Sequence, residues 1–393
     1  MILLPPENDM TTLEPIAVAP TASQKVLTRT LPIAAYAGTT LPEIDYDAHP
    51  AYGGKFPKAT LGERISSLIV FAKFFAFVGI RRIVDYENMP LLTKEAGGVR
   101  MNFAMAARYI AMFAGIRASR ILRTLVGQRR AAVPSNPALL NRIRTDGVAC
   151  LMFSATEIED IRRVTSSAFA RLDERRAGIP VDKRKFDDNV YWCTRSADPQ
   201  AFAAVEKIFK FHGITEAASA YLRRPVSVKH VNAQINDQDY AFWKRTFADT
   251  SLPDPWSTYL HIDATSGILK CAIYVHEIGP DGGPFCYVRG SQTAKIGWLE
   301  GMIRQTNDFS GLSGRKPEVR EKFMALPTFL RKKADFGADV PDDTAESNRL
   351  REAHFAITSN FGNCILFDGA GIHRGGMVNK GERRCVFILL GEV

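Results

Sequence analysis

Apolar and polar positions follow two different rhythms along this 393-residue chain. From Val226 onward the apolar residues come in short runs: VSVKHVNAQI, which alternates, then YLHIDA, ILKCAIYVHEI, PFCYVRGS, HFAIT, NCILFDG and RRCVFILLGEV. These runs are rich in β-branched and aromatic residues and are bounded by Gly, Pro and Asp, which predicts short β-strands. Regularly spaced short strands with no helical pattern between most of them point to an antiparallel sandwich or jelly roll. The GPDGGP stretch at 279–284 has no helix behind it, so it reads as a turn between strands and not as a phosphate loop.

Upstream the rhythm changes to a helical one. ISSLIVFAKFFAFVGI runs from Ile65 to Ile80 between Arg64 and Arg81-Arg82, and MNFAMAARYIAMFAGIRASRILRTLVGQRR sets Arg108, Arg117, Arg120 and Arg123 among apolar residues. The first stretch is too short to span a bilayer, which takes roughly 20 apolar residues, and Lys73 interrupts it. Pro134 and Pro137 break the chain, and a new unit starts with LLNRIRTDGVACLMF, where Asp146-Gly147 is a turn and VACLMF a strand. Ser154 stands three residues before Glu157, a capping box that opens a helix to about Arg175. Between Gln292 and His354 the strand pattern stops, and a polar, partly helical insertion is expected over 293–353. Long insertions of this kind are more often functional than idle.

The expected organisation is a disordered lead-in over 1–45, a basic and apolar helical region over 46–135, and a β-rich unit over 136–393. The prolines near the N-terminus and the polar setting suggest the disorder. No secretory signal pattern is read in that stretch. Six scattered cysteines without a CxxC pair read as buried reduced thiols of a cytoplasmic protein. The net charge of +9 is concentrated, because residues 61–130 hold twelve Lys/Arg against four Asp/Glu. That stretch fits core-packing helices with solvated basic faces, a basic amphipathic surface at the inner face of an anionic membrane, or a cradle for an anionic substrate. It lacks the alternation of aromatic and basic residues expected of a nucleic-acid surface, and no nucleic-acid partner is expected.

The candidate chemistry lies in TYLHIDATSG, residues 258–267. On a strand, residues two apart share a face, so His261 and Asp263 point the same way while Ile262 packs opposite. Iron(II) sites of the two-histidine, one-carboxylate kind use such a pair plus a second histidine and leave positions open. NCILFDGAGIHRGGMVNKGERRCVFILL supplies that histidine, His373, between two strands, with Arg384 eleven residues later. An arginine fork can bind a carboxylate in two places at once. No GxSxG elbow is present for Ser-His-Asp hydrolysis.

These segments, with RTDGVACLMFSATEIEDIRRV before them, resemble the phytanoyl-CoA dioxygenase-like family of Fe(II)/2-oxoglutarate-dependent oxygenases over roughly residues 141–393. The resemblance implies a double-stranded β-helix (jelly-roll, cupin-like) core with added helices, an α+β chain overall. It implies His261, Asp263 and His373 as iron ligands and Arg384 as the partner of the distal 2-oxoglutarate carboxylate. Arg383, one position out of phase, is then expected on the other face. Lys270, Ala272 and Tyr274 share a strand face, so Lys270 and Tyr274 line the cosubstrate pocket or serve in the core or rim. Two positions depart from the family pattern: Gln292 ends the element that is usually Gly-Ser-His, and Gly375 stands where a hydroxyl residue is common.

The implied activity is hydroxylation of an unactivated C–H bond using Fe(II), 2-oxoglutarate and O2, with release of succinate and CO2. Relatives that halogenate lack the carboxylate ligand, and Asp263 is present. The expected substrate is a small molecule, an acyl thioester or a lipid- or carrier-linked glycan, with anionic ones favoured by the basic segment. It is expected to enter between the N-terminal segment and the 293–353 insertion, if these meet. The alternative is a catalytically silent jelly-roll adaptor that uses its basic N-terminal helices to bind a membrane or a partner.

Overall fold

The computed structural model describes residues 32–83, 134–238, 246–263, 268–309, 319–333, 339–358 and 363–392, and single positions 111, 115, 118 and 122. The lead-in before residue 32 and most of the second basic stretch lie outside the described residues. In chain order the elements begin with helix α1 (Leu61–Ile83), α2 (Pro137–Asp146), strand β1 (Val148–Met152) and α3 (Ala155–Arg176). They continue with β2 (Val190–Cys193), α4 (Pro199–Phe211), α5 (Ile214–Leu222), β3 (Val226–Asp237), β4 (Leu269–Tyr274) and β5 (Phe285–Val288). The last elements are α6 (Trp298–Phe309), α7 (Arg320–Met324), α8 (Thr328–Arg331), α9 (Ala345–Ala353), β6 (His354–Ile357), β7 (Asn363–Asp368), β8 (His373–Arg374) and β9 (Glu382–Glu392).

The strands form an antiparallel sandwich of jelly-roll type. A six-stranded sheet runs β1-β7-β4-β9-β3-β2 and faces a three-stranded sheet β6-β5-β8. The eleven-residue β9 sits centrally, paired with β3 on one side and β4 on the other. Its alternation sorts side chains between two layers. Val386, Ile388 and Leu390 join α3, α4 and α5 in the outer core, with Ile158, Leu172 and Phe209. Cys385 and Phe387 face inward, where Tyr274, Phe285, Tyr287 and Phe367 fill the space between the sheets. Each such fully buried side chain contributes roughly 1.5–3 kcal/mol.

Local signals of the sequence recur in the structure. Ser154 and Glu157 form the reciprocal capping box at the start of α3. Gly147 ends α2 with φ +80°, a conformation that favours glycine. All six cysteines are buried and free.

A third core differs from expectation. Tyr36, Leu41 and Ile44 are buried, so residues 32–45 are packed rather than disordered. They pack with Phe71 of α1, with Phe323, Leu330, Val340 and Leu350 of the insertion, and with Leu260, Val288 and Ile372 of the sandwich. The N-terminal segment and the insertion therefore meet. The buried Asp339 carboxylate ties them, accepting from the Tyr46 and Tyr52 hydroxyls, while its backbone oxygen meets His49 Nε2.

Candidate metal centre

His261 is placed by a bridge, not by a full strand. Its backbone exchanges two hydrogen bonds with His373, each of 2.9 Å, on the short β8. Asp263 is held next to it because its N–H donates to the Gly369 carbonyl at 2.8 Å. The turn after β7 thus positions the carboxylate. Gly369 is required there, since a Cβ would lie 2.3 Å from Asp263 Oδ2.

The three side chains converge. One potential ligand atom from each of His261, Asp263 and His373 lies within 4.8 Å of the others. His261 Nδ1 is 2.9 Å from the Tyr259 carbonyl, and His373 Nδ1 is 2.8 Å from the Gly371 carbonyl. A carbonyl only accepts, so each Nδ1 carries the proton and each Nε2 lone pair is left for a metal. Both Nε2 atoms face the carboxylate, at 3.8 Å from Oδ1 for His261 and 3.4 Å from Oδ2 for His373. Phe285, Tyr287 and Phe367 surround the His373 ring and fix its plane.

Lys270 adds a cation to this group, with Nζ 2.5 Å from Asp263 Oδ2. That oxygen is buried and meets no donor in hydrogen-bond geometry. Burial alone would raise the Asp263 carboxyl; the Lys270 ammonium, and after it His373 and His261, outweigh burial and hold it well below the usual carboxylate range. The carboxylate is therefore ionised, and a divalent cation fits the donor set of two imidazole nitrogens and one carboxylate oxygen.

The two adjacent arginines lie opposite to the expectation. Arg384 points outward from β9. Its Nη1 and Nη2 donate to the two Asp173 oxygens at 3.0 and 2.8 Å, its Nε donates to Glu382, and it covers the Phe169 ring. Arg383 points inward and is buried. Its Nε and Nη2 donate to Asn236 Oδ1 at 3.3 and 3.0 Å, and its Nη1 donates to the carbonyls of Gly283 and Gly376. All three partners are neutral, and Arg383 donates to no carboxylate among the described residues.

The physical reason is register. Cys385 opposes Tyr274, whose side chain faces the inner core, so alternation sends 383 and 385 inward and 384 outward. The loop from β8 to β9 has no period of its own, so its length sets the phase. Gly375 fits this placement: a Cβ there would be 2.8 Å from Arg383 Nη2. The missing hydroxyl residue thus leaves room for the Arg383 side chain.

The remaining candidates divide. Lys270 reaches the metal-ligand group. Tyr274 does not present a free hydroxyl, because its oxygen accepts from the Phe285 N–H at 2.7 Å and donates to the Ile357 carbonyl at 3.2 Å. It links the two sheets. Gln292 closes on α2, its amide donating to the Arg144 carbonyl at 3.1 Å. Sequence reasoning missed Asn236, which orients Arg383, and Tyr287, whose hydroxyl donates to the Asp368 carbonyl at 2.9 Å beside His373. Nothing local marks either one; only pairing across strands brings them to the site.

No protein-family profile matches the chain, and no curated protein matches it. Similar solved structures include EctD from S. alaskensis with bound Fe, at 15% identity and a TM-score of 0.38, covering 66% of this chain and 78% of that one. HygX from Streptomyces hygroscopicus, with nickel and 2-oxoglutarate bound, has 17% identity and a TM-score of 0.38, covering 67% and 88%. AviO1 from Streptomyces viridochromogenes Tue57 has 13% identity and a TM-score of 0.34, covering 66% and 96%.

Proposed function

We propose that this protein is an Fe(II)- and 2-oxoglutarate-dependent oxygenase of the phytanoyl-CoA dioxygenase-like kind. The reaction proposed is hydroxylation of an unactivated C–H bond of a small, acyl-thioester or lipid- or carrier-linked substrate, with O2 consumed and succinate and CO2 released. The observation that carries this reading is the convergence of His261, Asp263 and His373, with the buried Arg383 on the inner face of the same sandwich satisfied only by neutral acceptors.

Each residue then has a defined task. His261 and His373 offer Nε2 lone pairs, and their Nδ1–H bonds to Tyr259 and Gly371 carbonyls hold the rings in place. Asp263 brings the negative charge that a divalent ion requires. When bound, ferrous iron supplies the activation of O2 that no side chain provides. Arg383 anchors the distal carboxylate of 2-oxoglutarate with its planar fork, in place of Arg384. An arginine keeps its charge when buried, so the neutral acceptors around it leave an anion to be supplied by a ligand. Lys270 stays on the carboxylate side of the site and orients Asp263. Phe285, Tyr287 and Phe367 exclude water around His373, which strengthens the electrostatics of the pocket.

An anaerobic titration of the Fe(II)-loaded protein with 2-oxoglutarate tests this reading through the weak visible charge-transfer band of a chelated complex. The expected result is a saturable band that disappears in Asp263→Ala. Retained iron with no band at any 2-oxoglutarate concentration would overturn the cosubstrate assignment and favour a non-catalytic role for the sandwich.

A further inference from the structure

Helix α1 presents apolar side chains to the outside. Leu61, Ile65, Leu68 and Ile69 are 75%, 49%, 38% and 65% exposed. At 3.6 residues per turn, positions 61, 65, 68, 69, 72 and 76 fall within a stripe about 100° wide. Ala72 and Ala76, also exposed, extend it. The opposite face holds the buried Ser67, Phe71 and Val78, and Phe71 enters the core shared with the insertion. The helix is therefore amphipathic on its packed side and apolar again on its free side.

Charge decides what this stripe fits. Arg64 and Lys73 are both exposed and lie one on each edge of the stripe. The one acid of the helix, Glu63, sits on the far side, and its carboxylate closes the N-terminus by accepting from the Thr60 N–H at 2.7 Å. Long basic side chains flanking an apolar stripe lay their stems along it and place their charges at phosphate level. Helix α6 packs beside α1, and Trp298 and Leu299 in its first turn are 69% and 56% exposed. No described helix is long and apolar enough to cross a membrane, so this face would lie on a bilayer and not in it.

We infer that α1 docks the protein on the surface of an anionic phospholipid bilayer, with Leu61, Ile65, Leu68 and Ile69 inserted at the acyl boundary and Arg64 and Lys73 paired with headgroups. This inference does not depend on the oxygenase reading. A second copy of the chain or a partner helix would also cover an apolar stripe. Neither calls for a cation on both edges and the acid on the reverse.

The test is co-sedimentation of the full chain with neutral phosphatidylcholine vesicles and with vesicles carrying phosphatidylglycerol. Binding to the anionic vesicles is expected to be stronger by about tenfold or more and to weaken with salt. Ile65→Asp with Ile69→Asp should abolish it, and Arg64→Glu with Lys73→Glu should remove the preference for anionic lipid. Far-UV circular dichroism and Fe(II) binding should match wild type in both variants, since all four positions are exposed. Three results would overturn the inference. One is equal sedimentation with both vesicle types, including none with either. Another is unchanged binding by the aspartate variant. The last is a wild-type dimer in sedimentation velocity that the aspartate variant turns into a monomer, which would assign the stripe to a second copy.

Discussion

The inner and outer faces of strand β9 carry neighbouring arginines in opposite circumstances. Arg384, outside, is matched by two carboxylates, Asp173 and Glu382. Arg383, inside, is surrounded by an amide oxygen and two backbone carbonyls. A surface arginine paired in this way contributes a little to stability and needs nothing more. A buried guanidinium satisfied in geometry but not in charge is costly unless an anion arrives. The contrast separates a cation paired in charge from one left without a counter-charge, although the two residues are identical in type and adjacent in sequence.

The strongest way to break this contrast is to remove each arginine in turn. Arg383→Ala should weaken 2-oxoglutarate binding roughly a hundredfold or more, as expected when one member of a buried charge pair is truncated. Isothermal titration of the metal-loaded protein reads this directly. The metal affinity itself should hold, because Arg383 does not touch the three ligand side chains. A larger loss in Arg384→Ala than in Arg383→Ala would reverse the assignment.

Gly375→Ala sharpens the same point without touching a charge. The new Cβ would crowd Arg383 Nη2, which is already tied to Asn236. Displacing the guanidinium should lower cosubstrate affinity about tenfold while Fe(II) binding is unchanged. An unaffected affinity would mean that the arginine has room to move.

A second buried base shows the other escape from the same problem. His354 is pushed down to about 3, chiefly by burial and then by the nearby Arg374 and Arg351. Its buried Nε2 has no hydrogen-bond partner. Unlike arginine, it sheds its proton and stays neutral. The unfolded chain takes up that proton below its ordinary value of 6.5, whereas the folded protein does not. Stability should therefore fall as pH drops from 6.5 toward 3, by at most about 1.4 kcal/mol per pH unit from this residue. His354→Phe should flatten that slope in urea unfolding measured across the range. An unchanged slope would show that other groups carry the acid sensitivity. The smallest effect is expected on the outer face, where Arg384→Ala should cost no more than about 1 kcal/mol of stability and leave 2-oxoglutarate affinity nearly unaltered.

Much of the fold was legible because its signals are local. Alternation marked β3, short β-branched and aromatic runs bounded by turn residues marked β4, β5, β6, β7 and β9, and the Ser154–Glu157 spacing marked the start of α3. The pairing of His261 with Asp263 was legible from their spacing, although the structure joins them through a single bridge and a turn carbonyl instead of a strand. Residues 32–45 were not legible, because Tyr36, Leu41 and Ile44 are too sparse to form a pattern and find their partners in α1, in the insertion and in the sandwich. Tyr274 was not either, because its hydroxyl is engaged by groups of two other strands.

By itself the sequence determined the strands and the capped helix, since each depends on contacts within a few positions, and it offered the three residue types of the candidate metal centre. Only the tertiary structure decided which arginine points into the sandwich, that Lys270 reaches Asp263, and that the N-terminal segment shares a core with the insertion. Alternation defines two faces within a strand but carries no phase across a loop. The β8–β9 connection, closed by pairing to β3 and β4, is what turned Arg383 inward and Arg384 out.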